Sequence, residues 1–204
     1  RYGTVTGVQT CALPIWLSFI NCFDRDDRDL IDDLIHENSH HHLNLLLRKF
    51  RLSRQDANQE MFYSPWRRSL RPLRGILHAT FTFTMGALLF AHLSSRAASL
   101  EAAKRRRRSR GGTVLFGQAL DHARARGLEE VASVRYSLRD LRGPAMRRGW
   151  LTPNGRDLVR QLERHVARAA RELEPHRASL EQSRDGRHLR RHLEELEEIG
   201  RAHV

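Results

Sequence analysis

Asp27 to Phe50 reads DRDLIDDLIHENSHHHLNLLLRKF. Leucine and isoleucine recur at three- and four-residue intervals behind an acidic opening. That is the pattern of an amphipathic helix whose first turns carry negative charge toward the positive end of the backbone dipole. The pattern predicts a helix from about Asp27 to Leu52. Within it, His36-Glu37-Asn38-Ser39-His40 fits HExxH. Residues four apart on a helix lie one above the other, so two imidazoles can reach one metal ion. At about 100° per residue from His36, His40 falls near 40°, Leu43 near −20°, Leu47 near 20° and Phe50 near −40°. The two histidines are therefore expected to share the buried stripe with these apolar residues. Glu37, near 100° on the same count, flanks the stripe as a general base, a ligand or an outer carboxylate. Asp29, Asp32 and Asp33 fall on the histidine side and are expected to form a solvated first turn. The plainer reading of the same residues is a core helix that happens to carry histidines, since His41 and His42 follow directly and the chain has 12.

Both ends carry a different signature. Val5 to Ile15, VTGVQTCALPI, and Ile199 to Val204, IGRAHV, read as translated sequencing-library adapter. The codons ACG TGT GCT CTT CCG ATC give Thr10 to Ile15, and the opposite strand, read one base over, gives ATC GGA AGA GCA CAC GT, or Ile199 to Val204. Extending the same DNA through GTT CAG for Val8 and Gln9 puts TGA next on that opposite strand. Residues 1–15 and 199–204 are thus expected to be artefact, leaving residues 16–198 as a fragment of a longer protein, and ALPIWLSFI is not read as a targeting segment. Without Arg1 and Arg201 the net charge of +12 falls to +10, still strongly basic. Setting Cys11 aside leaves Cys22 alone, which excludes a disulfide framework and makes a cytoplasmic setting the expectation.

Beyond the polar RLSRQDANQE segment, the prolines in Tyr63-Ser-Pro65-Trp66 and Arg71-Pro72 predict an irregular loop, each biasing the residue before it away from helix. Gly75 to Leu93 is almost wholly apolar for nineteen residues, long enough to span a bilayer. His78, His92 and three threonines make it a buried core helix rather than a membrane segment. His78, 38 positions after His40, could complete a three-ligand set, as catalytic metal sites commonly use. Lys104 to Gly112 includes a run of arginines without interleaved aromatics for base stacking, so it reads as a solvated loop rather than a nucleic-acid contact. Leu115 to Arg126 and Glu129 to Leu141 read as two amphipathic helices. Thr152 is placed to cap a helix that has Pro153 in its first turn and runs through Arg156 to Leu173. Glu174 to Glu198, with Leu189, Leu193 and Leu196 as a weak apolar stripe, reads as a peripheral helix.

Three segments stand in order: HENSHHHLNLLL, FYSPWRRSLRPLRGILHATFTF and LTPNGRDLVRQLERHV. Together they resemble the α-ketoglutarate-dependent HExxH-type peptide β-hydroxylases over most of Asp27 to Arg171. The most specific part is Pro65-Trp66-Arg67, Arg71-Pro72-Leu73 and Gly75-x-Leu77-His78, although the Arg68-Ser69-Leu70 spacer departs from the family pattern. The resemblance implies an iron(II) enzyme that uses O₂ and α-ketoglutarate to hydroxylate β-carbons in a ribosomally made peptide. His36 and His40 would be ligands with His78 as the third, and Arg67 and Arg71 would hold the distal carboxylate of the cosubstrate. Two other readings compete: a zinc metallopeptidase in which Glu37 activates a metal-bound water, and a non-enzymatic basic module that binds nucleic acid through Lys104 to Arg110. The fold expected in every case is a mainly α-helical single domain, with the metal-motif helix packed on the Gly75 to Leu93 helix. A peptide is the expected partner, with neither nucleic acid nor membrane.

Overall fold

A computed structural model of the chain describes residues 27–54, 59, 61–106 and 113–202. The chain is mainly α-helical, with helices packed on one another. Helix α1 (Asp27–Lys49) leads into a two-stranded antiparallel hairpin, β1 (Met61–Ser64) and β2 (Ser69–Pro72). Helix α2 (Leu73–Arg106) follows, then α3 (Thr113–Asp140), a π-turn over Leu141–Ala145, α4 (Pro153–Leu173), the single turn α5 (Arg177–Leu180) and α6 (Arg184–Ala202). Residues 107–112, most of the basic run, lie outside the described residues, as do Cys22 and residues 1–15.

The apolar α2 is the axis of the packing. It contacts α3, α4 and α1, and it buries Leu73, Ile76, Leu77, Phe81, Ala87, Phe90 and Ala91 among them. Each large side chain so buried contributes about 1.5–3 kcal/mol. Its threonines are accommodated because Thr80 and Thr84 donate to the carbonyls of Ile76 and Thr80, one turn back, at 2.7 and 2.6 Å. By length and composition alone, Leu73–Ala97 could cross a membrane. It packs against three helices.

Helix α1 stops at Lys49 rather than Leu52, because the following chain pairs elsewhere. Ser53 bridges Leu151, Arg54 N–H donates to the Trp150 carbonyl at 2.9 Å, and Thr152 N–H donates to the Leu52 carbonyl at 3.0 Å. Phe50 therefore leaves the stripe it was expected to join and is 43% exposed, whereas Leu43 is fully buried. The same junction accounts for the Leu-Thr-Pro-Asn-Gly sequence. Thr152 Oγ1 accepts from Gly155 N–H at 3.1 Å and caps α4, with Pro153 in the first turn. Gly155 has no alternative, since a Cβ there would overlap the Leu52 carbonyl oxygen.

Other expectations also fail for physical reasons. The proline-punctuated loop is a hairpin. Pro65 lies in the turn, outside both strands, Pro72 is the last residue of β2, opposite Met61, and Arg68 closes the turn at φ 49°. The break expected between Arg126 and Glu129 is absent, and α3 runs through it. Gly127 there is a point of close approach: an added Cβ would stand 2.7 Å from Leu173 Cδ1 and 2.8 Å from Phe90 Cβ. The helix expected over Glu174 to Glu198 is interrupted: a 3-10 turn at Glu174–His176 and α5 precede a break where Ser183 Oγ donates to the Leu180 carbonyl and accepts from Gly186 N–H, and α6 from Arg184 lies against α3 with Leu189 and Leu196 buried.

Candidate metal centre

Helix α1 presents His36 and His40 one turn apart, beside the hairpin and the start of α2. Their Nε2 atoms are 3.1 Å apart and the rings meet edge to face, with centroids 4.7 Å apart. Two donors about 2.1 Å from one ion, at roughly 90–110° to each other, are themselves about 3.0–3.4 Å apart, so this pair already has the bite of a chelate. Between them in the chain, Ser39 is buried and donates to the Ile35 carbonyl of the same helix at 2.6 Å, which satisfies its hydroxyl.

His78 enters from the second turn of α2. Its ring centroid is 6.2 Å from that of His40, and its Nε2 is buried without a hydrogen-bond partner. Two imidazoles sharing an ion have centroids at most about 6.5 Å apart, and about 4.6 Å apart at a right angle. His78 is thus within reach of a shared ion, and its ring must move about 1.5 Å toward the pair for a facial set. The tight group is instead His36, Glu37 and His40, whose donor atoms all lie within 4.8 Å of one another.

The three histidines line a cavity of about 530 Å³ together with Arg67, Arg71 and Arg74. Glu37 does not line it, although its carboxylate adjoins the pair. Burial pulls the imidazoles of His36 and His78 down to about 4, helped in both by the charge of His40. Nearby Arg67 acts the same way on His36, and Arg74 on His78. His40 is lowered too, by burial and by His41. All three rings are neutral at pH 7, the form that can donate a lone pair to a metal. Burial raises the carboxyl of Glu37, with His41 opposing. A buried donor without a partner, beside two nitrogens spaced as chelating ligands, fits a metal ion better than it fits a sealed core.

The wall opposite His36 is aromatic. Phe83 packs against the His36 ring at 4.9 Å, and Trp66 stacks on Phe83 at 4.3 Å, nearly parallel. Trp66 Nε1 donates to Glu130 on α3 at 2.8 Å. That carboxylate is 2% exposed and also accepts from Arg126 Nη2 at 2.9 Å. Arg126 in turn meets Glu129 at 3.1 Å and Asp32 at 3.7 Å. Burial pushes the Glu130 carboxyl up to about 7, while Arg126 and the Trp66 N–H pull against it. Asp32 therefore belongs to an ion-pair network joining α1 to α3, not to a solvated first turn. Arg74, Phe83 and Glu130 were not anticipated as parts of the site. The available signal was the acidic pair Glu129-Glu130 set inside the apolar run of α3.

Comparisons with protein-family models, with curated proteins and with solved structures found no match to this chain.

Proposed function

We propose that this chain is the metal-binding part of an iron(II)- and α-ketoglutarate-dependent peptide β-hydroxylase. The observation that carries the reading is the His36–His40 nitrogen pair, 3.1 Å apart, opening on a cavity that also presents His78 and the guanidinium groups of Arg67 and Arg71. His36 and His40 would hold the ion, with His78 as third ligand, and Glu37 supplies a carboxylate beside them. Two histidines and a carboxylate are the donor composition of non-haem iron(II) oxygenases, which supports iron where Glu37 completes the set; with His78 the set is three histidines, which iron(II) accepts as well as zinc. When bound, the iron and its cosubstrate supply oxidation: α-ketoglutarate, O₂ and a C–H bond become succinate, CO₂ and a C–OH group. The chain itself contributes binding and orientation. Arg67 and Arg71 offer planar forks to a carboxylate, and the Trp66–Phe83 stack forms a dry wall beside His36.

A zinc peptidase is the second reading, favoured by the closeness of Glu37 to the histidine pair. The two separate in one experiment. The chain, loaded with iron(II) without oxygen, receives α-ketoglutarate, O₂ and a pool of peptides. Succinate released together with a one-oxygen gain in peptide mass is the expected result. Peptide cleavage by the zinc-loaded chain, with no succinate from the iron-loaded one, overturns the hydroxylase.

A further inference from the structure

A second cavity, of about 390 Å³, backs onto the first where α1 ends and α2 begins. Five cations line it: Arg48 and Lys49 from the last turn of α1, Arg51 and Arg54 from the chain beyond, and Arg74 from α2. Among the described residues no carboxylate lines it, and none of the five forms an ion pair with one of them. Arg126, Arg142 and Arg177, by contrast, all meet glutamates. Between the cations the floor is apolar, from Leu47, Leu77 and the exposed Phe50. Arg74 and His78 line both cavities, so the cationic trough and the metal cavity share a wall.

We propose that this trough binds an acidic stretch of a peptide, held beside the residue presented to the metal. The inference rests on the peptide-modifying reading and narrows its substrate: a peptide with aspartate or glutamate close to the modified position and apolar side chains between them. Cations without an ion pair among the described residues, at a concave and partly apolar surface, favour a chain that brings both carboxylates and apolar groups. Nucleic acid fits less well, because one exposed aromatic, Phe50, gives no series of rings on which bases could stack.

The test is fluorescence anisotropy on the full chain, with a labelled peptide alternating Asp and Leu and its counterpart carrying Asn for Asp. The acidic peptide should bind at least about tenfold more tightly, with a preference that weakens as salt rises. Reversing Arg48→Glu together with Arg51→Glu should erase the preference, and the milder Arg51→Gln should reduce it in part. Circular dichroism checks that each variant is folded. His36→Ala with His40→Ala removes the proposed ligands and should leave the preference intact, so failure of the metal reading does not mask the trough. Equal affinity for the two peptides, or an unchanged preference in the charge-reversed variant, overturns the proposal. Tighter binding of a single-stranded oligonucleotide of equal charge also overturns it and assigns the surface to nucleic acid.

Discussion

Two groups of three histidines, one on α1 and α2 and the other on α3 and α6, are treated differently. Along the seam of α3 and α6 each ring has a partner: His188 Nδ1 lies 2.7 Å from Glu129, His192 Nε2 lies 2.8 Å from Ser133 Oγ, and His122 Nδ1 lies 3.4 Å from Asp185. Around the cavity, His36 and His40 meet each other, and Nε2 of His78 meets nothing. Buried polar nitrogens normally find acceptors, and leaving one without a partner costs about 1–3 kcal/mol. The seam uses its imidazoles to hold a helix, whereas the cavity leaves His78 Nε2 without a protein partner among the described residues and pairs His36 with His40.

The largest effect that would sharpen this contrast lies in the network behind the cavity. Glu130→Ala strips the buried partner from Arg126 and the acceptor from Trp66, and it should destabilise the fold by about 3–5 kcal/mol in chemical denaturation. A loss below about 1 kcal/mol would show that the network does not brace the cavity wall.

Acid titration should distinguish the groups next. In the metal-free chain, His36 and His78 titrate near 4 when folded, against 6.5 when unfolded. Between these values the unfolded chain binds more protons, so the stability contributed by the neutral rings is complete above 6.5 and is lost as pH falls toward 4. Glu130, raised to about 7 from 4.5, runs the other way and loses its contribution as pH rises through 7. Subtracting the profile of a His36→Ala/His78→Ala variant isolates the histidines. The difference should change by on the order of a few kcal/mol between the two ends of that window. A flat difference would mean that the rings are solvated.

The smallest effect belongs to the seam. His188 is 62% exposed, so its pair with Glu129 is a surface interaction, and His188→Gln should cost no more than about 1 kcal/mol. Its metal binding should equal that of the unaltered chain.

What could be read from the sequence was local. The spacing of His36 and His40 fixes their juxtaposition on any helix, and Thr152 with Pro153 fixes the start of α4. What could not be read depends on residues far apart in the chain. Gly127 looks like a helix break until Leu173 and Phe90 are seen packing against it. Helix α1 ends at Lys49, short of Leu52, because Thr152, a hundred residues on, offers Leu52 a strand-like partner. Pro65 and Pro72 argue against strands in general, and the hairpin escapes that argument by placing Pro65 in its turn and Pro72 at the end of β2. Glu130 reads as one more surface acid, and Trp66, sixty-four residues away, is what makes it part of the site.

The central claim is that the cavity histidines are ligands, and equilibrium titration of the full chain with iron(II) under anaerobic conditions tests it directly. One ion per chain should bind. His36→Ala should weaken binding by more than about a hundredfold, beyond the usual cost of removing a group behind a ligand. His188→Ala should leave binding unchanged, and a loss in His78→Ala would identify the third ligand. Binding that survives His36→Ala, or that falls equally in His188→Ala, would contradict the account.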